Sequence, residues 1–172
     1  MNINYARSSI LMDPINHETG SRIFADTAKA IEKDPNAETF LIINSGGGIV
    51  DVGNMITSLL PGLSPRLVTV GSGLVGSMAI PVFLCGASRY ITRHTRFFFH
   101  EIGRNYKDTR MGVGDVKSDL DDLRALQKWY IEYIVERTGG KLSAKRLNRL
   151  MVAETTLYPD QMKDLGLFDR VI

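Results

Sequence analysis

The chain has 172 residues, 44% hydrophobic and 23% charged, with a net charge of +2. That length supports one domain, residues 1–172, with a full core, and the composition is that of a folded globular chain, not a disordered one. So small a charge excess excludes a strongly basic nucleic-acid surface, and no apolar run is long enough for a membrane span.

The stretch from Met1 to Arg7 lacks the hydrophobic centre of a signal peptide. Ser8 to Met12 reads as a short strand. Residues 20–33 carry an imperfect helical stripe, Ile23, Ala25, Ala28, Ala30 and Ile31, which Asp34-Pro35-Asn36 ends with turn chemistry. Phe40-Leu41-Ile42-Ile43-Asn44 is a continuous apolar strand of the kind buried on both faces of a parallel sheet. Gly46-Gly47-Gly48 follows, then a helical pattern with Val52, Met55, Ile56, Leu59 and Leu60. After Pro61 and Pro65 comes a second strand, Leu67 to Val70.

The stretch Gly73-Leu74-Val75-Gly76-Ser77-Met78-Ala79 then leads into an apolar helix, about Met78 to Gly86. Its glycines permit a tight turn, and unpaired N–H groups at a helix start favour an anion. Ser77 is placed there as an accessible nucleophile; an ordinary N-cap serine would look the same. Cys85, the only cysteine, has apolar neighbours and reads as a buried thiol, which suits a reducing, cytoplasmic compartment. Residues 89–92 and 95–100 read as further strands. Alternating strands and helices point to a parallel-rich α/β sheet, whose ligands gather at the carboxyl ends of strands.

Residues 103–114 read as a polar loop charged by Arg104, Lys107, Asp108 and Arg110. A long helix is expected over 113–137, with one apolar stripe at Val116, Leu120, Leu123, Tyr130 and Ile134 and another at Leu126, Trp129 and Tyr133. Two stripes on so long a helix point to a contact between subunits. Thr138-Gly139-Gly140 closes it, and a further helix spans 143–152. Lys141, Lys145, Arg146 and Arg149 read as a solvated face.

Hydrolysis by a serine needs a base and donors for the oxyanion. Of three histidines, His17 lies in a polar early loop and His94 in a turn, whereas His100 ends an aromatic strand and is the best base. Gly46 to Gly48 can present backbone N–H groups to an anion. A phosphate loop does not fit, because the Gly-x-Gly-x-x-Gly spacing fails and no Lys-Ser/Thr pair follows. No zinc-like spacing is present, so no metal or cofactor is expected.

The motifs Asn44-Ser45-Gly46-Gly47-Gly48, Gly73 to Ala79, Phe99-His100 and Gly166-Leu167-Phe168-Asp169 together resemble the proteolytic subunit of Clp protease, in order, from about Ser8 to Ile172. The resemblance implies a Clp/crotonase-like α/β fold, a parallel-rich sheet of β-β-α units with a protruding handle helix about 113–137. Ser77 matches the nucleophile and His100 the general base. Gly48 and Met78 match the oxyanion-hole donors, while the strand at Gly47 and the segment at Gly103 would hold substrate. Glu154 falls on the position of the family's aspartate, one methylene longer. Gly46 replaces the family's proline.

The implied activity is a serine endopeptidase acting on peptides or unfolded proteins inside a homo-oligomeric ring or stacked rings. An AAA+ unfolding ATPase is the family's partner. About seven residues precede the first strand, where a typical member carries a longer segment for that contact, so this partner stays open. Two other readings remain: a crotonase-type enzyme acting on coenzyme-A thioesters through the same paired donors, and an inactive ring subunit.

Overall fold

The computed structural model describes residues 3–106 and 110–172. Lys107 and Asp108, expected to charge the loop after His100, lie outside the described residues, as does the start of the N-terminal stretch at Met1 and Asn2. The chain folds as β1 (Ser8–Leu11), α1 (His17–Lys33), β2 (Thr39–Ser45), α2 (Val50–Leu63), β3 (Leu67–Gly76), α3 (Ala79–Leu84), β4 (Ser88–Ile91) and β5 (Arg96–Phe98), then α4 (Val113–Arg137), α5 (Ala144–Val152), β6 (Thr156–Leu157), α6 (Pro159–Met162) and β7 (Arg170–Val171). The strands make one sheet in the order β1-β2-β3-β4-β7. All of these pairs are parallel. The β-β-α order occurs at β4-β5-α4; earlier in the chain a helix separates successive strands.

Strand β3 has ten residues and, on the side away from β2, serves two partners. Its first half pairs with β4, at Val68 to Gly71, and its second half with β5, at Leu74 to Gly76. The expected strand stopped at Val70. It runs on because Gly71, Gly73 and Gly76 tolerate crowding that side chains would not: a Cβ at Gly73 would lie 2.7 Å from Asn44 Oδ1. That same Asn44 amide oxygen accepts the Leu74 N–H at 2.9 Å, bridging the register shift between Ile43 and Ser45.

The helices α1, α2 and α3 cover one face of the sheet, where Leu11, Ile23, Leu41, Ile43, Ile56, Leu60, Val75 and Phe83 are all buried. Phe40, Val68 and Val70 pack on the opposite face. Apolar burial of this kind contributes about 25 cal/mol per Å². His17 opens α1 instead of lying in a loop: Asn16 caps the helix and exchanges hydrogen bonds with Thr19, a capping box that supplies an earlier start than the apolar stripe shows. Pro61, expected beyond α2, lies inside its last turn.

The two ends of α4 differ. Val113, Val116 and Leu120 are exposed, whereas Tyr130 and Ile134 are buried in the core. Asp169 fastens the C-terminal stretch: its carboxylate accepts the Arg89 N–H at 2.7 Å and meets the Arg89 guanidinium at 3.3 Å. Among the described residues no helix is long and apolar enough to cross a membrane.

Candidate active site

Two loops meet at the carboxyl end of β2 and β3. The first, residues 45–49, is fixed from both sides. Ser45 Oγ donates to the Asp13 carbonyl at 2.8 Å and accepts the Gly47 N–H at 3.2 Å. Ile15 N–H donates to the Gly47 carbonyl and Ile49 N–H to the Ile15 carbonyl, both at 2.8 Å. This one-residue bridge leaves the Gly48 N–H pointing away from Ile15, without a partner among the described residues. A Cβ at Gly48 would fall 2.2 Å from the Ile15 carbonyl oxygen, so only glycine fits.

The second loop carries Ser77, which joins β3 to α3 with φ of 49°, a left-handed conformation costly for a serine. Hydrogen bonds hold it there. Its N–H donates to the Phe98 carbonyl at 2.8 Å, and its carbonyl accepts the Ile80 N–H at 2.9 Å. Gly47 packs directly on this turn: with φ of 104°, an added Cβ would lie 2.7 Å from Ser77 Cβ and 2.8 Å from the Met78 nitrogen. The Met78 N–H, like that of Gly48, has no hydrogen-bond acceptor among the described residues. The side chain of Met78 is buried, so the residue offers the cleft its main chain. Ser77, not buried itself, sits between strand and helix as the sequence reading has it, but Met78 holds the N-cap position of α3.

His100 follows β5, the strand that accepts the Ser77 N–H. The β3–β5 register ends with Gly76 opposite Phe98, one residue before Ser77 and two before His100. The imidazole stacks on Phe98, with ring centroids 5.5 Å apart. On its other side β5 pairs antiparallel with β6, Phe97 opposite Leu157 and Phe98 opposite Thr156. Phe99 N–H extends the ladder to the Thr155 carbonyl at 2.9 Å. The ladder ends there, because the Glu154 N–H turns back to the Met151 carbonyl at 3.1 Å. Glu154 has φ of 47° and an exposed side chain in the turn after α5.

Gly47, Ser77 and Met78 are thus in contact, with the free N–H of Gly48 beside them. The side chains of Ser77, His100 and Glu154 are not joined by hydrogen bonds among the described residues. Gly103 lies in an exposed segment, and a Cβ there would meet nothing within 4 Å. That segment runs along α4, where Arg104 and Tyr106 both bond Asp119 and Glu101 accepts from Gln127 at 3.5 Å. A cleft of about 660 Å³ opens between residues 101–102 and α4, lined by Ile102, Leu123 and Ile131 among others. Among the described residues no three His, Cys, Asp or Glu side chains converge on a metal-sized site.

Sequence reasoning missed Ile15, whose backbone bridge has no side-chain signature, and gave Tyr130 only a packing role. Its hydroxyl donates to the Ser77 carbonyl at 3.2 Å. A tyrosine on a buried stripe is itself a signal, because its hydroxyl needs a partner.

The chain is similar to known proteins. The sequence model of the Clp protease family matches residues 2–172. The ATP-dependent Clp protease proteolytic subunit 2 of Bifidobacterium longum is 29% identical over 162 residues, 93% of this chain and 76% of the relative. Proteolytic subunit 1 from Chlamydia abortus is 26% identical over 141 residues, 81% of this chain and 72% of the relative. Among solved structures, a ClpP1 mutant from Listeria monocytogenes superposes with a TM-score of 0.81 at 22% identity, covering 97% of this chain and 91% of that one.

Proposed function

Since this chain belongs to the Clp protease family, we propose that Ser77, His100 and Glu154 are the catalytic residues of its single peptidase domain, residues 1–172. The enzyme is a serine-type peptide hydrolase. The observation that carries the site assignment is the seating of Gly47 on the Ser77 turn, beside the two unpaired N–H groups of Gly48 and Met78.

In the proposed reaction His100 takes the Ser77 proton as Oγ attacks the peptide carbonyl. Negative charge develops on the carbonyl oxygen, which the Gly48 and Met78 N–H groups stabilise, each donor worth about 3 kcal/mol. The protonated imidazole then gives its proton to the leaving amine, and the acyl-enzyme remains. Water, deprotonated by the same imidazole, releases the second product. Glu154, which precedes the strand paired with β5, holds the imidazole in the required tautomer once its carboxylate turns toward His100. An extended peptide binds by strand addition beside Gly47 and the segment at Gly103.

The assembly reading rests on the relatives, named as proteolytic subunits, and on the exposed apolar start of α4, where Val113, Val116 and Leu120 offer a surface for a second copy. A homo-oligomeric ring enclosing unfolded protein, in the cytoplasm, follows as the working arrangement. The relatives' names include ATP-dependence, so an unfolding ATPase is the partner to seek. The test is Ser77→Ala in the assembled protein. Peptide cleavage and labelling by a fluorophosphonate are expected to vanish while the oligomer persists; undiminished hydrolysis ends the assignment.

A further inference from the structure

We propose that Tyr130 is a positioning residue for the oxyanion hole, setting the orientation of the Ser77–Met78 peptide from beneath. The inference deepens the proposed reaction and rests on it. Its geometry is that of one peptide unit. The Ser77 carbonyl and the Met78 N–H belong to the same planar group and, in a trans peptide, point in opposite directions. Whatever holds the carbonyl therefore aims the N–H.

The Tyr130 hydroxyl, 3.2 Å from the Ser77 oxygen, approaches from α4 on the core side. The Met78 nitrogen faces the Gly47 loop, 2.8 Å from where a Cβ of that glycine would lie. The carbonyl also accepts the Ile80 N–H, a bond made within the turn itself, which moves with the turn. Tyr130 supplies the only side-chain hydrogen bond to residues 75–80 among the described residues. It anchors the turn to a different element.

Tyr130 is suited to this. It is 2% exposed, the largest fully buried side chain of the core. Burial raises its pKa, so the hydroxyl keeps its proton and remains a donor throughout the working range. The serine it steadies has a positive φ that neighbouring contacts must impose. A bond that fixes a donor before the oxyanion forms acts on the transition state more than on bound substrate. Its loss is therefore read in kcat and not in KM.

Tyr130→Phe removes the hydroxyl and keeps the ring. With a fluorogenic peptide, kcat is expected to fall about tenfold, from a change in barrier of one hydrogen bond, with KM, ring assembly and Tm held. A peptide boronate, which mimics the tetrahedral state, is expected to lose affinity by the same factor. Unchanged kcat, or a loss confined to KM, overturns the proposal. If the wild type cleaves no peptide, the peptidase reading falls separately. Crystal structures of both proteins then decide about Tyr130: an altered 77–78 peptide in the variant supports its role, and an unaltered one removes it.

Discussion

On the nucleophile side of the proposed site, the Ser77 turn is closed on itself by the Ile80 N–H and tied to two other elements, β5 through the Phe98 carbonyl and α4 through the Tyr130 hydroxyl. On the histidine side, the imidazole rests on the Phe98 ring, and the Glu154 carboxylate stands exposed. The main chain of the first half is held by the fold itself. The second half lies beyond the paired strands, which end at Gly76 and Phe98 on one side and at Phe98 and Thr156 on the other, so the proposed proton transfer needs side-chain rotations there. A site divided this way keeps its costly elements, strained turns and aimed N–H groups, in the rigid core. In the proposed reaction it leaves proton transfer to groups that assembly or substrate would align.

The sharpest way to break that contrast is to crowd the rigid half. Gly47→Ala would put a methyl group 2.7 Å from Ser77 Cβ at a φ of 104°. Peptide turnover by the assembled variant is expected to fall by about 10²–10³, the loss of an oxyanion donor. Gly46→Ala is the control, since its Cβ would find only Leu74 Cδ2 at 3.8 Å, and its turnover is expected to match the wild type. Equal activity in the two variants would show that the Gly47 contact does not matter.

Much of the rigid half was legible in the sequence. Strand β2 is a continuous apolar run, and α4 matches its expected limits, Val113–Arg137, because a cap glycine and Thr138-Gly139-Gly140 mark both ends. The family motifs singled out Ser77, Gly48 and Met78. What escaped was non-local. The length of β3 depends on Asn44 bridging a register shift, and Gly48 is fixed by Ile15, thirty-three positions earlier. Tyr130 fits an apolar stripe so well that its hydroxyl went unassigned. The second half was legible only as position: alignment supplies residue 154, but whether a carboxylate reaches an imidazole depends on rotamers that no motif encodes.

Glu154→Gln sharpens the contrast from the other side. A buried triad carboxylate is worth about 10⁴ in turnover. An exposed one that joins the imidazole only on alignment is expected to be worth about 10–100-fold, measured as kcat on a short peptide, since water competes for the same imidazole N–H. A fall near 10⁴ would mean that the histidine side is as firmly fixed as the nucleophile side. No fall at all would remove Glu154 from the site.

The smallest effect comes from a probe already present at the far end of the helix that follows Ser77. Cys85 caps α3, is 3% exposed, and is the only cysteine in the chain. Burial pushes its thiol from an ordinary value of 9.0 up to about 12, against a smaller opposing pull from the Arg137 guanidinium. If the nucleophile half is as closed as its contacts indicate, iodoacetamide at pH 8 will leave the native protein unmodified and alkylate it only after unfolding. The folded thiol keeps its proton where the unfolded one has lost it. This contribution to stability is therefore constant below pH about 9 and declines as pH rises toward about 12. Thermal unfolding across that window is expected to show a shallower alkaline fall in Cys85→Ala than in the wild type. Alkylation of native protein at the rate of a free thiol would show that the core beneath Ser77 opens readily, and the division between a fixed half and a movable half would then have no basis.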